Sequence, residues 1–436
     1  MKKIKLILNN PLFILFLSGL FLNISFFFTN ILAEILAFFV IAPAFYALTK
    51  LEYKKRYLGG LLFFGAWMLP TSYWYFNFMP IWLAVLALSF FTLIAHVFHI
   101  SNLIKKKSIF LDFAIIIVSW LFLTFLRINL PIIKDWWIPD IAYTQWQNIF
   151  VLQIANFLGI YGIIFLILIT NATLAFLWIK KKKIVSIIFI IFVSFIFLFG
   201  NFVINNFAKT KGQSITFIAI QASPENGYQA SANINDIQKL KKITQSALEK
   251  IQNKSLKNIF VLWPENMIAE NNTADLINFS KENNIFLIYS REEKTDGDPL
   301  NSVMMINDNG KEILKNYKIH KAPGEKISIS KDGNKSIEIN GIKITSAICY
   351  DLHYSDLQSR IKGNNLLFVP IDDDRFGKFM PYLHARDIIF RAIENRINIL
   401  TASTNGPTFF VNKYGIIEKG PLKIYDEGYL IVETKI

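Results

Sequence analysis

The chain has 436 residues, of which 53% are hydrophobic and 41 are phenylalanine, and its mean hydropathy is +0.37. These values exclude an ordinary soluble globular protein and predict a membrane protein. The formal net charge is +14. Many of the basic residues fall in short runs between apolar segments, and no nucleic-acid-binding motif accompanies them, so we expect no nucleic-acid partner.

The first 206 residues are dominated by apolar segments that are long enough to cross a membrane. A bilayer core of about 30 Å needs about 20 helical residues. Seven segments meet this requirement, near 11–29, 31–49, 58–78, 81–103, 109–129, 153–178 and 184–204. We therefore predict a transmembrane domain of about seven helices at 1–206 and a second domain at 207–436.

Basic residues predict how these segments are oriented. Runs of lysine and arginine lie in 1–5, 50–56, 105–107 and 180–183, at alternate connections between the predicted spans. Because cytoplasmic loops carry an excess of such residues, the N-terminus is predicted to be cytoplasmic. An odd number of spans then places the second domain outside the cytoplasm.

Several ionisable residues lie in or near the predicted spans, where charge is costly. They are Glu34, His96, His99, Asp112 and Arg127. Several are close to span ends, where pairing or contact with the headgroups is sufficient, so we assign them no function.

The second domain alternates short β-type runs with amphipathic helices, which indicates one α/β domain with layered sheets. The predicted strands are 214–221, 259–263, 285–289, 302–307, 342–348, 366–370, 397–403, 407–411 and 428–433. The predicted helices are about 235–252, 273–283, 353–362 and 383–395.

Cys349 is the only cysteine of the chain. It cannot form an intrachain disulfide, and one thiolate is too few for a metal cluster. It follows the predicted strand 342–348 and precedes a predicted helix, whose positive N-terminus would lower the pKa of the thiol towards the reactive thiolate. The alternative is that Cys349 is a small buried hydrophobic residue.

Cysteine acyl chemistry also needs a base and a group that stabilises the developing oxyanion. Glu265 ends an apolar strand, where burial should raise the pKa of its carboxyl group into the range of a general base. Lys318 could stabilise negative charge, and Glu325 could orient it or contribute to base function. The alternatives are a helix-start carboxylate, a solvated lysine and an ordinary loop acid. A Cys–His arrangement with His320, His353 or His384 as base is the competing design.

The order of these segments resembles the nitrilase, or carbon–nitrogen hydrolase, superfamily. The matching pieces are Trp263-Pro264-Glu265, Lys318-Ile319-His320, Ile348-Cys349-Tyr350-Asp351, Arg391-Ala392-Ile393-Glu394-Asn395, Asn301-Ser302 and Asn405-Gly406. The resemblance implies a four-layer αββα sandwich. It also implies a catalytic triad with Glu265 as base, Lys318 as oxyanion stabiliser and Cys349 as nucleophile.

The membrane half is similar to that of the apolipoprotein N-acyltransferase family, in segments 59–78 and 151–162. This resemblance implies transfer of an acyl chain from a phospholipid, through a thioester on Cys349, to the α-amino group of a diacylglyceryl-cysteine lipoprotein. It implies a monomer in the bacterial inner membrane, with the catalytic domain on the periplasmic side and with no cofactor or metal. The supporting or substrate-binding residues would be Trp263, Glu325, Tyr350, Asp351 and His384.

The sequence also departs from the acyltransferase pattern. Pro323-Gly324-Glu325 lacks the usual phenylalanine, and Asp351 stands where glutamate is usual. The segment Asp372-Asp373-Asp374-Arg375-Phe376-Gly377 replaces Asn-Asp-x-Trp-Phe-Gly, Leu383 replaces a glutamine, and the usual C-terminal span has no counterpart. These changes favour, as an alternative function, a membrane-anchored amidase with the same triad. A non-catalytic lipid-binding protein is disfavoured because Glu265, Lys318 and Cys349 are all present.

Overall fold

The structure is a computed structural model. It describes residues 10–104, 108–131, 133–208, 212–224, 234–251, 258–268, 273–330, 335–420 and 422–436. The basic runs at 1–5 and 105–107, used to predict the orientation, lie outside these residues. The chain divides into two compact units, Met1–Ile204 and Asn205–Ile436, which are described separately.

All the regular secondary structure of the N-terminal unit is helical in the residues that are described. Its α-helices are α1 (Pro11–Leu22), α2 (Ile24–Phe27), α3 (Ile31–Val40), α4 (Ala42–Lys50), α5 (Arg56–Ser72), α6 (Ile81–Leu88), α7 (Phe91–Ile94), α8 (His96–Ile100), α9 (Ile109–Asn129), α10 (Ile149–Leu152), α11 (Ala155–Lys180) and α12 (Lys183–Phe207). Short 3₁₀-helices occupy Tyr53–Lys55, Tyr73–Asn77, Ser101–Leu103 and Ile141–Gln145.

Five helical segments in the described residues are long and apolar enough to cross a membrane. They are Ile31–Lys50, Ile81–Leu103, Ile109–Asn129, Ala155–Lys180 and Lys183–Phe207. The other two predicted spans fall on shorter helical segments, Pro11–Phe27 and Arg56–Ser72, so a count of seven spans stays a prediction. Only 17% of the apolar window of Lys183–Phe207 is buried within the protein. Such an exposed apolar surface indicates contact with lipid, as expected for a membrane protein.

The C-terminal unit contains two six-stranded sheets. The strands of the first are β1 (Ser214–Gln221), β2 (Ile259–Leu262), β3 (Phe286–Glu293), β4 (Leu300–Ile306), β5 (Glu312–Tyr317) and β12 (Gly428–Lys435), in the order β12-β1-β2-β3-β4-β5. Those of the second are β6 (Ile337–Ile339), β7 (Ile342–Ser346), β8 (Leu366–Ile371), β9 (Asn398–Ser403), β10 (Phe410–Val411) and β11 (Ile417–Lys419), in the order β11-β10-β9-β8-β7-β6. In each sheet three central strands are parallel, and antiparallel strands flank them.

The two sheets pack face to face through aromatic side chains. Phe217 of β1 lies 6.1 Å, between ring centroids, from Phe368 of β8 and 5.5 Å from Phe410 of β10. Phe260 of β2 also contacts Phe368, at 5.7 Å. Four α-helices accompany the sheets: α13 (Ile234–Lys250), α14 (Thr273–Asn283), α15 (Leu357–Ile361) and α16 (Met380–Asn395). With α13 and α14 packed on the first sheet and α16 on the second, the predicted αββα sandwich is confirmed.

The strands that sequence reasoning missed all lie at the edges of the sheets. β5, β6 and β11 each carry charged residues, as edge strands commonly do, and β6 and β11 have three residues each. The predicted helix 353–362 is also shorter than expected, because a 3₁₀-helix, Cys349–His353, precedes α15.

Candidate active site

Glu265 follows the carboxyl end of β2, where the first sheet faces the second. Its backbone N–H donates to the carbonyl of Ile371, at the end of β8, over 3.4 Å. Its side chain is 1% exposed, and Oε1 accepts a hydrogen bond from Asn301 Nδ2 at 2.7 Å. The second oxygen, Oε2, is buried without a hydrogen-bond partner in the described part of the chain. That oxygen is therefore available to accept a proton.

Lys318 directly follows β5 and bridges two carboxylates. Its Nζ donates to Glu265 Oε1 at 3.0 Å and to Glu325 Oε1 at 2.7 Å. The turn that carries Glu325 is closed on itself, since Ala322 N donates to Glu325 Oε2 at 2.8 Å. The Lys318 side chain is only 2% exposed, and its contact with Glu325 fits the predicted possibility that Glu325 orients the lysine.

Burial and charge shift the pKa values of this group. Burial raises the pKa of Glu265 to about 7, partly opposed by Lys318 and reinforced by Glu325. This confirms the raised pKa that the sequence predicted. Burial alone would lower the pKa of Lys318, but the carboxylates of Glu265 and Glu325 outweigh it and raise that pKa well above its ordinary value. Lys318 therefore stays charged at neutral pH, while Glu265 can take up or release a proton.

Cys349 lies at the turn after β7, in a backbone conformation with φ of 42°. This left-handed region is uncommon for a residue with a side chain and occurs often at functional sites. The side chain is 3% exposed, and the backbone N–H of Asp372 donates to its sulfur. Burial and the nearby Glu265 carboxylate raise the pKa of the thiol well above its ordinary value.

The prediction that a helix N-terminus lowers this pKa is therefore wrong. The segment that begins at Cys349 is a five-residue 3₁₀-helix, and the next α-helix starts only at Leu357. So short a helix has a weak dipole, which stabilises the thiolate less than the loss of water around the sulfur destabilises it. The thiol therefore needs a base to remove its proton.

Asp351 is fully buried and connects the turn at Cys349 to the loop that follows Lys318. Its Oδ1 accepts hydrogen bonds from the backbone N–H groups of Ile319 at 3.1 Å and His320 at 2.9 Å, and Oδ2 accepts one from Ile348 N at 3.1 Å. The neighbours of Lys318 and Cys349 are thereby held by one carboxylate. The aspartate that departs from the acyltransferase pattern has a positioning role here.

His384 lies against the backbone of Cys349 and is 1% exposed. Its Nδ1 is 3.0 Å from Asp373 Oδ1, and its Nε2 is 3.3 Å from the carbonyl oxygen of Cys349. Burial opposes the charge on the ring, but the Asp373 carboxylate outweighs it and raises the pKa of His384. An imidazolium that donates from both nitrogens cannot accept the thiol proton, so this geometry disfavours His384 as the base.

The other two histidines proposed as alternative bases are engaged with acids away from the cysteine. His320 Nε2 is 3.1 Å from Asp356 Oδ2, and its ring stacks on Tyr354 with centroids 3.6 Å apart. His353 is paired with Asp387.

Cys349, Asp373 and His384 offer ligand atoms within 4.8 Å of one another. Thiolate, carboxylate and imidazole are donors that divalent metals such as zinc accept. A metal ion there would occupy the nucleophile and displace the hydrogen bonds of His384.

The predicted triad lines one pocket, whose cavity volume is about 20 Å³. Its walls are formed by Glu265, Asn266, Lys318, Ala322, Glu325, Cys349, Asp372, Arg375 and Phe376. Nucleophile, candidate base and candidate oxyanion stabiliser are therefore brought together from three separate strand ends.

Two predicted supporting residues lie elsewhere. Trp263 is fully buried in the core between the first sheet and its helices, where Nε1 donates to Thr244 Oγ1 at 3.0 Å. Tyr350 is 2% exposed and packs edge-on against His353, with ring centroids 4.2 Å apart. Neither is among the residues that line the pocket.

Sequence reasoning did not assign a binding role to Asn266, Asp372, Arg375 or Asn301. Asp372 and Arg375 stood out only as departures from a family pattern. Asn266 Nδ2 donates to Asp372 Oδ2 at 3.1 Å, and burial raises the pKa of Asp372 to about 6. Their position in the sequence could have identified them as pocket residues, since Asn266 follows Glu265 directly and the run 372–375 directly follows β8.

Two family models match this chain. The model described as the apolipoprotein N-acyltransferase N-terminal domain matches residues 18–173, and the carbon-nitrogen hydrolase model matches residues 228–432. The two matches follow one another along the chain and together cover most of it.

Sequence relatives extend this result. The chain is 24% identical to the apolipoprotein N-acyltransferase of Borreliella burgdorferi, over 92% of this chain and 85% of the relative. It is 23% identical to that of Geobacter metallireducens, over 68% of this chain and 64% of the relative. Among solved structures, Saccharomyces cerevisiae Nit3, a member of the nitrilase superfamily, aligns with a TM-score of 0.44 and 19% identity, over 51% of this chain and 90% of Nit3. From the two family models and the two bacterial relatives, the chain is similar to the apolipoprotein N-acyltransferases along most of its length.

Proposed function

We propose that this protein moves an acyl chain from a phospholipid, through a thioester on Cys349, to the N-terminal amine of a diacylglyceryl-cysteine lipoprotein. The observation that carries the proposal is the shared pocket of Glu265, Lys318 and Cys349, in which Glu265 Oε2 has no hydrogen-bond partner among the described residues. Similarity to the apolipoprotein N-acyltransferases supports the choice of reaction.

In the first half-reaction, Glu265 takes the proton from the thiol of Cys349, and the sulfur attacks an ester carbonyl of the phospholipid. Lys318 stabilises the negative charge on the carbonyl oxygen. The ester C–O bond then breaks, and the lysophospholipid leaves as an alcohol after Glu265 returns the proton to its oxygen.

In the second half-reaction, the amine of the acceptor attacks the thioester carbonyl. Glu265 takes a proton from the attacking nitrogen, the C–N bond forms and the C–S bond breaks. The proton is passed to the sulfur, which restores the thiol. Glu325 holds the ammonium group of Lys318 in place through both steps, over 2.7 Å.

The thioester is tested with purified protein, a phospholipid labelled in its acyl chains and a diacylated lipopeptide. We expect label on the protein without the peptide, loss of that label on treatment with hydroxylamine, and transfer to the peptide amine when the peptide is added. Cys349→Ala should give neither adduct nor product. Full transfer by Cys349→Ala would contradict the proposal.

A membrane-anchored amidase is the second candidate. The pocket has a cavity volume of only about 20 Å³, which is small for a two-chain lipid. Turnover of small aliphatic amides, with no acyl adduct from phospholipid, would favour this candidate over the acyltransferase.

We also propose that the catalytic unit lies outside the cytoplasm, as the distribution of basic residues predicts. Cys349 is the only cysteine, so single reporter cysteines can be placed in a Cys349→Ala background. Lys419→Cys, at an exposed site of the C-terminal unit, should react with a membrane-impermeant maleimide in intact spheroplasts. Lys54→Cys, also exposed, should react only after permeabilisation. The reverse pattern would overturn this orientation.

A further inference from the structure

Arg375 is a pocket-lining cation that the triad chemistry does not use. It lies in the 3₁₀-turn Asp374–Phe376, directly after β8, and lines the same pocket as the thiol of Cys349. Lys318 is the other cation in the pocket wall, and its ammonium group is already bound to two carboxylates at 3.0 and 2.7 Å. Arg375 is therefore the second cation of the pocket wall.

The remaining charges of the pocket wall are negative. Glu265, Glu325 and Asp372 all contribute carboxyl groups. Asp372 is engaged with Asn266 and with Thr404 Oγ1, the latter at 2.9 Å. A phospholipid phosphate that enters such a pocket is repelled by these carboxylates unless a cation faces it.

The chemistry of a glycerophospholipid brings its phosphate close to the reacting atom. Either ester carbonyl is separated from the phosphodiester by only a few covalent bonds through the glycerol. When the carbonyl carbon lies against the sulfur of Cys349, the phosphodiester must therefore lie within or at the mouth of this pocket. A planar guanidinium group suits it, because two parallel N–H groups bind two phosphate oxygens.

The environment of Arg375 strengthens such a contact. The residue is partly buried, and burial lowers the pKa of its guanidinium to about 10. It is still charged at neutral pH but is poorly hydrated, so less water must be removed when an anion binds.

We infer that Arg375 binds the phosphodiester group of the acyl donor and makes the pocket selective for phospholipids over uncharged glycerolipids. This inference rests on the proposed acyltransferase function and adds the part of the donor that is recognised. Since the guanidinium contacts the leaving lysophospholipid, its effect belongs to the first half-reaction and not to the transfer from the thioester to the amine.

The test compares two donors that share their acyl chains and their glycerol esters, namely phosphatidylglycerol and diacylglycerol, in mixed detergent micelles. The measured quantity is the rate of thioester formation on Cys349 for each donor, expressed as a ratio. Arg375→Gln should lower the ratio of phosphatidylglycerol to diacylglycerol by about ten- to a hundredfold, as expected for loss of a hydrogen-bonded ion pair. Arg375→Lys, which keeps the charge but loses the planar fork, should give a smaller decrease.

Lys378→Gln is the matched control. Lys378 is an exposed cation three positions along the chain, 5.9 Å from the ring centroid of Tyr425, and it does not line the pocket. The Lys378→Gln substitution should leave the donor ratio within about twofold of the wild-type ratio, because the loss of a surface charge usually has a small effect.

The outcomes separate this inference from the proposed function. An unchanged ratio in Arg375→Gln, including an equal loss with both donors, would overturn the role of Arg375 and leave the acyltransferase intact. If Arg375→Gln does not fold, the ratio measured for Arg375→Lys decides in the same way. Failure of the wild-type protein to form a thioester with phosphatidylglycerol would contradict the acyltransferase itself, and this inference with it.

Discussion

Two buried charge clusters, one in each unit, are built differently. In the N-terminal unit, Arg56 and Asp112 form a bidentate pair, with Nη1–Oδ1 and Nη2–Oδ2 distances of 2.8 and 2.7 Å. The guanidinium also donates to Ser101 Oγ at 2.6 Å and to the carbonyl of Leu48 at 3.0 Å. Both side chains are almost fully buried, and their opposite charges face each other.

In the C-terminal unit, Lys318 serves two carboxylates and faces a thiol as well. One oxygen of Glu265 has no hydrogen-bond partner in the described residues, and the pKa of this residue is raised to about 7. A balanced buried pair fixes the fold, whereas an unbalanced cluster leaves a group that can exchange a proton. Buried charges by themselves are therefore a weaker indication of a functional site than a buried cluster in which carboxylates outnumber cations.

The largest expected effect is that of Glu265→Gln, which removes the candidate base and keeps its shape. We expect the rate of thioester formation to fall by about 10²- to 10⁴-fold, the usual contribution of general base catalysis. The rate is measured by the appearance of labelled protein after mixing with phospholipid. Glu338→Gln, at an exposed position of β6, is the control and should react normally. A wild-type rate in Glu265→Gln would remove this residue from the mechanism.

Lys318→Met should lower the same rate by about 10²- to 10³-fold, as the loss of one oxyanion-stabilising group does. It also leaves the carboxylates of Glu265 and Glu325 without their shared cation, so the pKa of Glu265 should rise further. Lys343→Met, at an exposed site of β7, is the matched control. If both variants reacted equally fast, the role of Lys318 would be structural.

Asp112→Asn tests the balanced cluster. It leaves the buried guanidinium of Arg56 without its carboxylate, which should cost about 3–5 kcal/mol of folding free energy. Thermal unfolding of the detergent-solubilised protein should show a lower Tm. The rate of thioester formation per folded molecule should stay near that of the wild type. A strong loss of this rate without a change in Tm would show that the two clusters do not differ in role.

The pH dependence follows from the raised pKa of Glu265. Below about pH 7 its carboxyl group is mostly protonated and cannot accept the thiol proton, so the rate should rise by about tenfold between pH 6 and pH 8 and then level off. The rate of thioester formation is measured by quenching the reaction at set times across this pH range. Glu265→Gln should lose this rise, and its persistence in that variant would assign the titration to another group.

The smallest expected effect is that of Trp263→Phe. It removes the hydrogen bond to Thr244 and some packing volume, so we expect a loss of about 1–2 kcal/mol in stability. The rate of thioester formation should stay within about twofold of the wild type. A larger kinetic effect would show that this core residue contributes to the pocket.

Much of the fold could be predicted from sequence, and the failures have physical reasons. The central strands were recognisable because they are apolar on both faces. The edge strands β5, β6 and β11 were missed because solvent accepts polar side chains there, which removes the hydrophobic signal. Missing β5 hid the fact that Lys318, like Glu265 and Cys349, lies just after a strand.

The sequence by itself determined the membrane character and an α/β domain with layered sheets, because these depend on composition and local periodicity. The αββα class and the candidate triad Glu265, Lys318 and Cys349 were implied by the resemblance to a known family, which depends on the order of motifs along the chain. Only the tertiary structure decided the protonation chemistry and the other walls of the site. Burial raised the pKa of Cys349, which local reasoning expected to be lowered. The pairing of Lys318 with two carboxylates, the positioning by Asp351 and the place of Arg375 in the pocket wall join residues far apart in sequence. Desolvation and such long-range contacts exist only once the two sheets have packed, so no local pattern could encode them.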